Sequence, residues 1–346
     1  MNNLCSRKVM RSIFWIHRMA YLTALMLVLS GLPAIASVTG EKPSAPDKPW
    51  SAELHVKRYF RSHTSYEFGN PDPPRQAPLS RLEFPMNTWW AGGEFRRRFS
   101  RFSAGLEVLR SVSRESEGAF KDSDWTNNTR TDLKTIYSEA ECRMEPSYMV
   151  RGDVDLKVAD WIGLPVWLDP RPVVGIRWQR LEFMAHDGFQ VYLYPDDENP
   201  LGAGKPPEPY PGDAIRFSQD YWQFFLGIRT DYDLGRHLKT SRRLKISGRL
   251  DWAYVSGENK DHHLQRRGTR LTFENTSGSA WHASLGFQAG LTENINVGVE
   301  AEYLRIQTEG SHQWIDDMER ADQTWINGVK VWSEQMSLMI KLEYLF

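Results

Sequence analysis

The 346 residues are 40% hydrophobic and 25% charged, with 43 basic side chains against 44 acidic ones. That balance argues against a nucleic-acid binder, whose footprint is a basic surplus. The low mean hydropathy excludes a bundle of membrane-spanning helices, each of which needs about 20 consecutive apolar residues.

The chain opens with Arg7, Lys8, Arg11 and Arg18, then an apolar run from Met19 to Leu32, then Ala34-Ile35-Ala36 before Ser37. A basic start, a short apolar core and small residues at the cut describe a cleaved secretory signal peptide over residues 1–36. Cleavage removes four of the 43 basic residues, leaving 39 against 44 and a mature net charge of −5. It also removes Cys5, so Cys142 stands alone and no intramolecular disulfide can form, although an exported chain could use one. Residues 37–52, with Pro43, Pro46 and Pro49, read as a leader or linker ahead of a folded domain at 53–346.

Strand patterns dominate that domain. Leu244, Ile246, Leu250, Trp252 and Tyr254 alternate with Lys245, Ser247, Arg249 and Asp251. Trp281 to Ala289 and Ile295 to Tyr303 each alternate in the same way on either side of Thr292-Glu293-Asn294, the signature of a hairpin. Leu338, Ile340, Leu342, Tyr344 and Phe346 form a last apolar face, with Lys341 and Glu343 opposite. Charge at alternate positions of long strands is wrong for a sandwich, whose inner faces are apolar. It is right for a membrane barrel with an apolar face to lipid and a polar lumen. The 14 Trp and the 12% aromatic share then belong to girdles at the two membrane interfaces.

The connections alternate in length. Longer ones are expected near residues 69–78, 119–131, 194–213, 257–268 and 310–324. Shorter ones are expected near 99–101, 160–170, 234–240 and 292–294. Together they give an all-β fold, a ten-stranded antiparallel transmembrane β-barrel with long extracellular loops. The third long connection carries Pro195, Pro200, Pro206, Pro207, Pro209 and Pro211 and is expected to be irregular.

Two clusters carry chemistry. Asp122-Ser123-Asp124-Trp125 lies in the second long connection and Asp261-His262-His263 in the fourth. In an extended chain, residues i and i+2 share a face, so Asp122 can converge with Asp124, and Asp261 with His263. Strands three and seven of a ring of ten put the clusters opposite each other at the mouth. The odd-numbered parity of the seventh strand points Asp261 and His263 inward. In the third strand the even positions face lipid, so a bulge or break near Gly118 is required to turn Asp122 and Asp124 inward. His263 suits a general base acting on water, and Asp261 suits its orienter. Two close carboxyls cannot both ionise freely, so one pKa should rise. Taken singly, each cluster also suits something plainer: D-x-D a solvated or calcium-binding turn, D-H-H a surface metal patch.

The two clusters together resemble the omptin family, ten-stranded outer-membrane endopeptidases of Gram-negative bacteria. The family's D-x-D-W after the third strand is matched by Asp122-Ser123-Asp124-Trp125, and its D-x-H after the seventh by Asp261-His262-His263. Leu82-Glu83-Phe84, with Asn87 and Gly92 following, is similar to the family's second strand. The resemblance implies an aspartyl-type peptide hydrolase in the outer membrane that uses an activated water, with no covalent intermediate, metal or other cofactor. It implies peptide or protein substrates and a lipid or lipopolysaccharide environment; no nucleic-acid partner is expected, and a monomer is. For the family's basic-residue pocket, Glu67 matches the early acid, whereas Asn259 stands where a second acid is usual, with Glu258 beside it. The family's lipopolysaccharide motif Tyr-x-Glu-x-Arg corresponds to Trp178-Gln179-Arg180-Leu181-Glu182, with the charges exchanged, so the lipid site is not carried over. His186, His282 and His312 stand singly and read as structural or solvated. The substitutions at Asn259 and in the lipid motif motivate a rival: a non-catalytic barrel of this type serving as an adhesin, structural or porin-like protein.

Overall fold

The computed structural model describes residues 48–69, 78–127, 129–165, 167–195, 205–239, 243–318 and 320–346. The signal peptide and most of the leader lie outside the described residues. Phe99–Arg101 fall outside the compact unit that contains the other described residues.

That unit is built of twelve strands. They are β1 (Trp50–Gly69), β2 (Pro78–Pro85), β3 (Trp89–Arg98), β4 (Phe102–Ser111), β5 (Phe120–Asp124) and β6 (Ile136–Leu156), followed by β7 (Leu168–Tyr192), β8 (Glu208–Asp233), β9 (Leu244–His263), β10 (Arg270–Gly290), β11 (Ile295–Asp316) and β12 (Ala321–Leu345). Neighbours pair antiparallel, and β12 returns to β1, with Ser51 opposite Leu345. In the lower half the order runs β1–β3–β4–β6; in the upper half it runs β1–β2–β5–β6. β2 with β3 is thus one descending strand, and β4 with β5 one ascending strand. Counted so, the described residues form the expected ring of ten. Closure leaves no free edge, which a lipid-embedded sheet requires. Among the described residues no helix is long and apolar enough to cross a membrane.

The alternation sorts the side chains. Leu54, Val56, Leu106, Val108, Leu285, Phe287, Ile340 and Leu342 are exposed on the outside and form the apolar belt. At its lower rim Trp50 stacks on Phe95 at 5.0 Å, and Phe346 lies 6.2 Å from Phe95 and 5.9 Å from Tyr344. Inside the belt the lumen is filled by ions. The Arg96 guanidinium reaches Glu94 and Asp153 at 2.6 Å and Asp155 at 2.9 Å. Arg249 bridges Asp153 and Asp251, and Lys57 pairs with Glu302. Such charges are tolerable away from water only when paired and hydrogen-bonded.

Three expectations need correction. The strands start earlier and run further than the connections implied: β1 begins at Trp50, inside the expected leader, β9 continues to His263 and β11 to Asp316. The fourth and fifth connections are therefore short, and both clusters stand on strands, Asp122 and Asp124 in β5 and Asp261 in β9. Pro209 and Pro211 lie within β8. They are admissible because β9 begins to pair with β8 only at Ile215, opposite His263. Before that point β8 has one unpaired side, where a missing N–H costs nothing.

The feature that aims the site is a change of face between the membrane belt and the mouth. In β1 the odd residues His55, Lys57 and Tyr59 are buried below, and the even residues Thr64, Tyr66 and Phe68 above. The switch is a bulge between Phe60 and His63, where Arg61 has φ 51°. In β4 the even residues Phe102, Leu106 and Val108 face lipid, yet Phe120 of β5 is buried. The required break lies between these strands, with Gly118 at φ 115°, a conformation that favours glycine.

Candidate active site

β9 supplies the first cluster. Asp261 is fully buried; His263, two residues further on the same face, keeps 23% of its side chain exposed, and its Nε2 lies 3.1 Å from Asp261 Oδ2. The same Oδ2 accepts the Tyr66 hydroxyl at 2.5 Å. One carboxylate oxygen thus accepts the Tyr66 hydroxyl and stands in ion-pair contact with the imidazole. Asp261 Oδ1 is buried with no hydrogen-bond partner. Sequence reasoning missed Tyr66; its even parity became inward only through the β1 bulge.

β5 supplies the second cluster. Its residues pair with β2 on one side, Asp122 opposite Leu82 and Asp124 opposite Ser80, and with β6 on the other. Ser80 Oγ donates to Asp122 Oδ1 at 3.3 Å. The strand end is pinned by Thr135, whose N–H and hydroxyl both donate to the Asp124 carbonyl, and by the Trp125 N–H on the Leu79 carbonyl. The Trp125 ring meets the cations of Arg81 and Lys134, so it buttresses the wall. Burial pushes the Asp122 carboxyl well above the usual range, and the charges of Asp124 and Asp261 push it further. Burial also raises Asp124, against the lowering pull of Ser80, His263, Arg266 and Arg270. Asp261 acts on Asp122 and His263 on Asp124, so the two clusters share one electrostatic site.

Beneath this site the barrel is stoppered by rings. Phe217 stacks on Phe84 at 4.5 Å and on Tyr66 at 5.2 Å, and Phe84 packs against Phe120 at 4.9 Å and Phe183 at 5.4 Å. This layer separates the site from the ionic lumen and lowers the local dielectric, which strengthens electrostatic effects.

Of the three expected pocket residues, one faces the interior. Asn259 is buried two residues below Asp261 on the same face. Glu67 is a correction: above the β1 bulge its odd position points to the outer surface, where it binds the Arg81 guanidinium at 2.6 and 2.9 Å. Glu258 is another: it is exposed, one position off the inward parity of Asn259 and Asp261. Trp178, Arg180 and Glu182 also face outward, and Arg180 is ion-paired with Glu182 at 2.7 Å. The histidines read as single all have acidic neighbours: His186 Asp187, His282 Asp251 and His312 Glu274. Cys142 is buried, and burial pushes its thiol up, which makes it unreactive.

The omptin family model matches residues 98–346. Among solved structures, the outer membrane protease OmpT from Escherichia coli superposes with a TM-score of 0.75 and 14% identity, over 89% of this chain and 100% of that one. The translocator domain of the autotransporter NalP from Neisseria meningitidis gives 0.33 and 7%, covering 95% and 98%. The outer membrane protein OprG from Pseudomonas aeruginosa gives 0.30 and 11%, covering 88% and 99%. No curated protein matched at the sequence level.

Proposed function

The chain belongs to the omptin family, and on that premise we propose that it is an endopeptidase whose water is activated between Asp261–His263 and Asp122–Asp124. Its setting is the outer membrane of a Gram-negative cell. The observation that carries the reading is the double hold on Asp261 Oδ2 by Tyr66 and His263, within the field of a carboxyl pair whose proton affinity is raised.

The mechanism follows from these positions. His263 Nε2 lies 3.1 Å from Asp261 Oδ2; with the proton on that nitrogen, Nδ1 is the bare base. That nitrogen takes a proton from water as the water oxygen bonds to the substrate carbonyl carbon, and Asp261 stabilises the imidazolium that forms. The Asp122–Asp124 pair, whose proton affinity burial raises, positions the water and protonates the oxyanion. Collapse breaks the C–N bond, the imidazolium proton leaves on the amine, and one hydroxyl proton of the new carboxyl group returns to the Asp122–Asp124 pair. No metal enters any step. Peptides and protein segments with basic residues at the cleaved bond are the substrates, drawn to a chain at −5.

The test uses the refolded barrel with lipopolysaccharide and peptides containing Lys-Arg or Arg-Arg. Wild type should cleave them, with the rate unchanged by a chelator. Asp122→Asn and His263→Ala should lose activity by about 10³-fold or more, the scale at which removing one member of a concerted set acts. Equal inertness of wild type and variants would overturn the reading.

A further inference from the structure

Below Asp261 the inner face of the barrel holds a group of polar atoms without partners. Asn259 on β9, Glu274 on β10 and His312 on β11 stand side by side in register. All three are at least nine-tenths buried. His312 Nδ1 lies 3.0 Å from Glu274 Oε1, so in the neutral ring Nδ1–H donates to the carboxylate and Nε2 is left as an acceptor. His312 is sandwiched between Phe68 at 4.4 Å and Trp325 at 5.7 Å, which fixes its plane. Glu274 Oε2, His312 Nε2, and both the oxygen and nitrogen of the Asn259 amide have no hydrogen-bond partner. Asp261 Oδ1, just above, has none either. Buried polar groups are nearly always satisfied, so a row of orphans on adjacent strands is a site awaiting a ligand.

The chemistry of that ligand can be read from the tally. Four of the six open atoms, counting the Thr272 hydroxyl opposite Asp261, are acceptors alone: Glu274 Oε2, His312 Nε2, Asn259 Oδ1 and Asp261 Oδ1. The ligand must therefore be rich in donors, and it must carry positive charge to offset Glu274, whose carboxyl burial otherwise drives toward protonation. Two residues along a strand span roughly 6.6 Å, so a residue whose carbonyl sits at Asp261 and His263 places the tip of a long side chain at Asn259. Arginine favours a carboxylate with two free oxygens, which it grips as a fork. Here His312 already holds one oxygen of Glu274, and the open acceptors come from four separate side chains. Acceptors converging from several directions suit the compact ammonium of lysine, a point charge with three donors.

We propose that Glu274, Asn259 and His312 form the recess for the substrate residue on the carbonyl side of the cleaved bond, and that it selects lysine over arginine. The inference rests on the hydrolytic reading above. It gives the charged role at this recess to Glu274, not to Glu67 or Glu258.

The experiment uses the full refolded barrel with lipopolysaccharide and three peptides differing only at that residue: lysine, arginine or norleucine. Cleavage is followed as kcat/KM, and binding as the Kd of the same peptides for Asp122→Asn. Lysine should exceed arginine by about 10-fold and norleucine by about 100-fold, the range that one well-placed charged contact commands. Glu274→Gln should bring lysine down to the norleucine level. Asn259→Asp should narrow the gap between arginine and lysine by supplying a second carboxylate. Heat-modifiable migration reports folding of each variant, and if Glu274→Gln does not fold, Asn259→Asp decides. Equal kcat/KM for lysine and arginine, a preference unmoved by Glu274→Gln, or equal Kd for lysine and norleucine overturns the proposal. If wild type cleaves nothing while Asp122→Asn binds lysine peptide more tightly than the other two, the recess stands and the hydrolytic reading falls.

Discussion

Tyr66 and Asp261, 195 residues apart in the chain, share a 2.5 Å hydrogen bond at the mouth of the barrel. The phenol comes from β1 and the carboxylate from β9, and between them they bring two separate parts of the ring into one functional unit. Burial and the neighbouring Asp261 charge raise the Tyr66 phenol well above its ordinary value, so it remains a donor throughout the physiological range.

Tyr66→Phe should therefore slow cleavage while leaving the fold intact. A hydrogen bond to a buried charge contributes about 1.5–3 kcal/mol, which corresponds to roughly 10- to 150-fold in rate if the contact tightens fully in the transition state. The loss should fall in kcat, because the hydroxyl orients the base and does not touch substrate. Steady-state kinetics on a lysine peptide would check this, and an effect confined to KM would contradict it.

Asp122→Asn should abolish activity and raise stability together. The folded-state pKa of Asp122 lies above its unfolded value, so the native protein holds that proton more tightly than the unfolded chain. The stability this provides is present below the unfolded pKa and is lost as pH rises through the folded one. At neutral pH the ionisable form is therefore a burden, and an amide of the same shape relieves it. Urea unfolding in detergent at pH 7 and at pH 4 should show the variant ahead of wild type at pH 7, with the gap closing at pH 4.

Glu67→Gln and Glu258→Gln should each leave cleavage within about twofold of wild type, the ordinary scale for outer-surface changes. Glu67 is held by Arg81 on the outer face, and Glu258 is exposed. Parallel kinetics of these variants with Glu274→Gln would separate inner from outer acids directly.

The lumen inside the membrane belt should not conduct. Arg96, Glu94, Asp153 and Asp155 close it with mutual ion pairs, and the rings of Phe84, Phe120, Phe183 and Phe217 lie above. Planar bilayers containing the protein should show no stepwise current, against the porin-like alternative. Arg96→Met takes one cation from three buried carboxylates, which keep Arg151, Arg249 and Arg171 as their remaining partners; losing one partner of a buried pair costs up to about 3–5 kcal/mol. A matching fall in the urea midpoint would confirm that the network holds the barrel.

Much of this was legible from residue order alone. Alternation is clear over residues 244–254, 281–289, 295–303 and 338–346, so both the barrel and the inward parity of Asp261 and His263 could be read. The break near Gly118 was required by the parity of Phe102, Leu106 and Val108, and it is there. What could not be read was register between strands. Glu274 sits opposite Asn259 because the β9–β10 turn is tight; reading residues 257–268 as a long connection concealed that pairing and left His312 looking solitary. Glu67 was misplaced for a related reason. A bulge of the kind between Phe60 and His63 leaves no mark in hydropathy, yet it reverses the face of every residue above it.

That reversal sets how the mouth can change its length. Loops between strands can gain or lose residues freely, but the stretch from Val112 to Ala119 is a parity counter. Inserting one residue there, if it slides β5 one place along its ladder, would bring Lys121 and Ser123 to the interior positions of Asp122 and Asp124; deleting one would bring Ser123 and Trp125. A change of two would turn the acids back to the inner face, displaced by two places along the strand. Natural or engineered variants of this barrel should therefore tolerate length changes in this segment in steps of two, and a single-residue change should leave a barrel that closes normally but has no acid pair to work with.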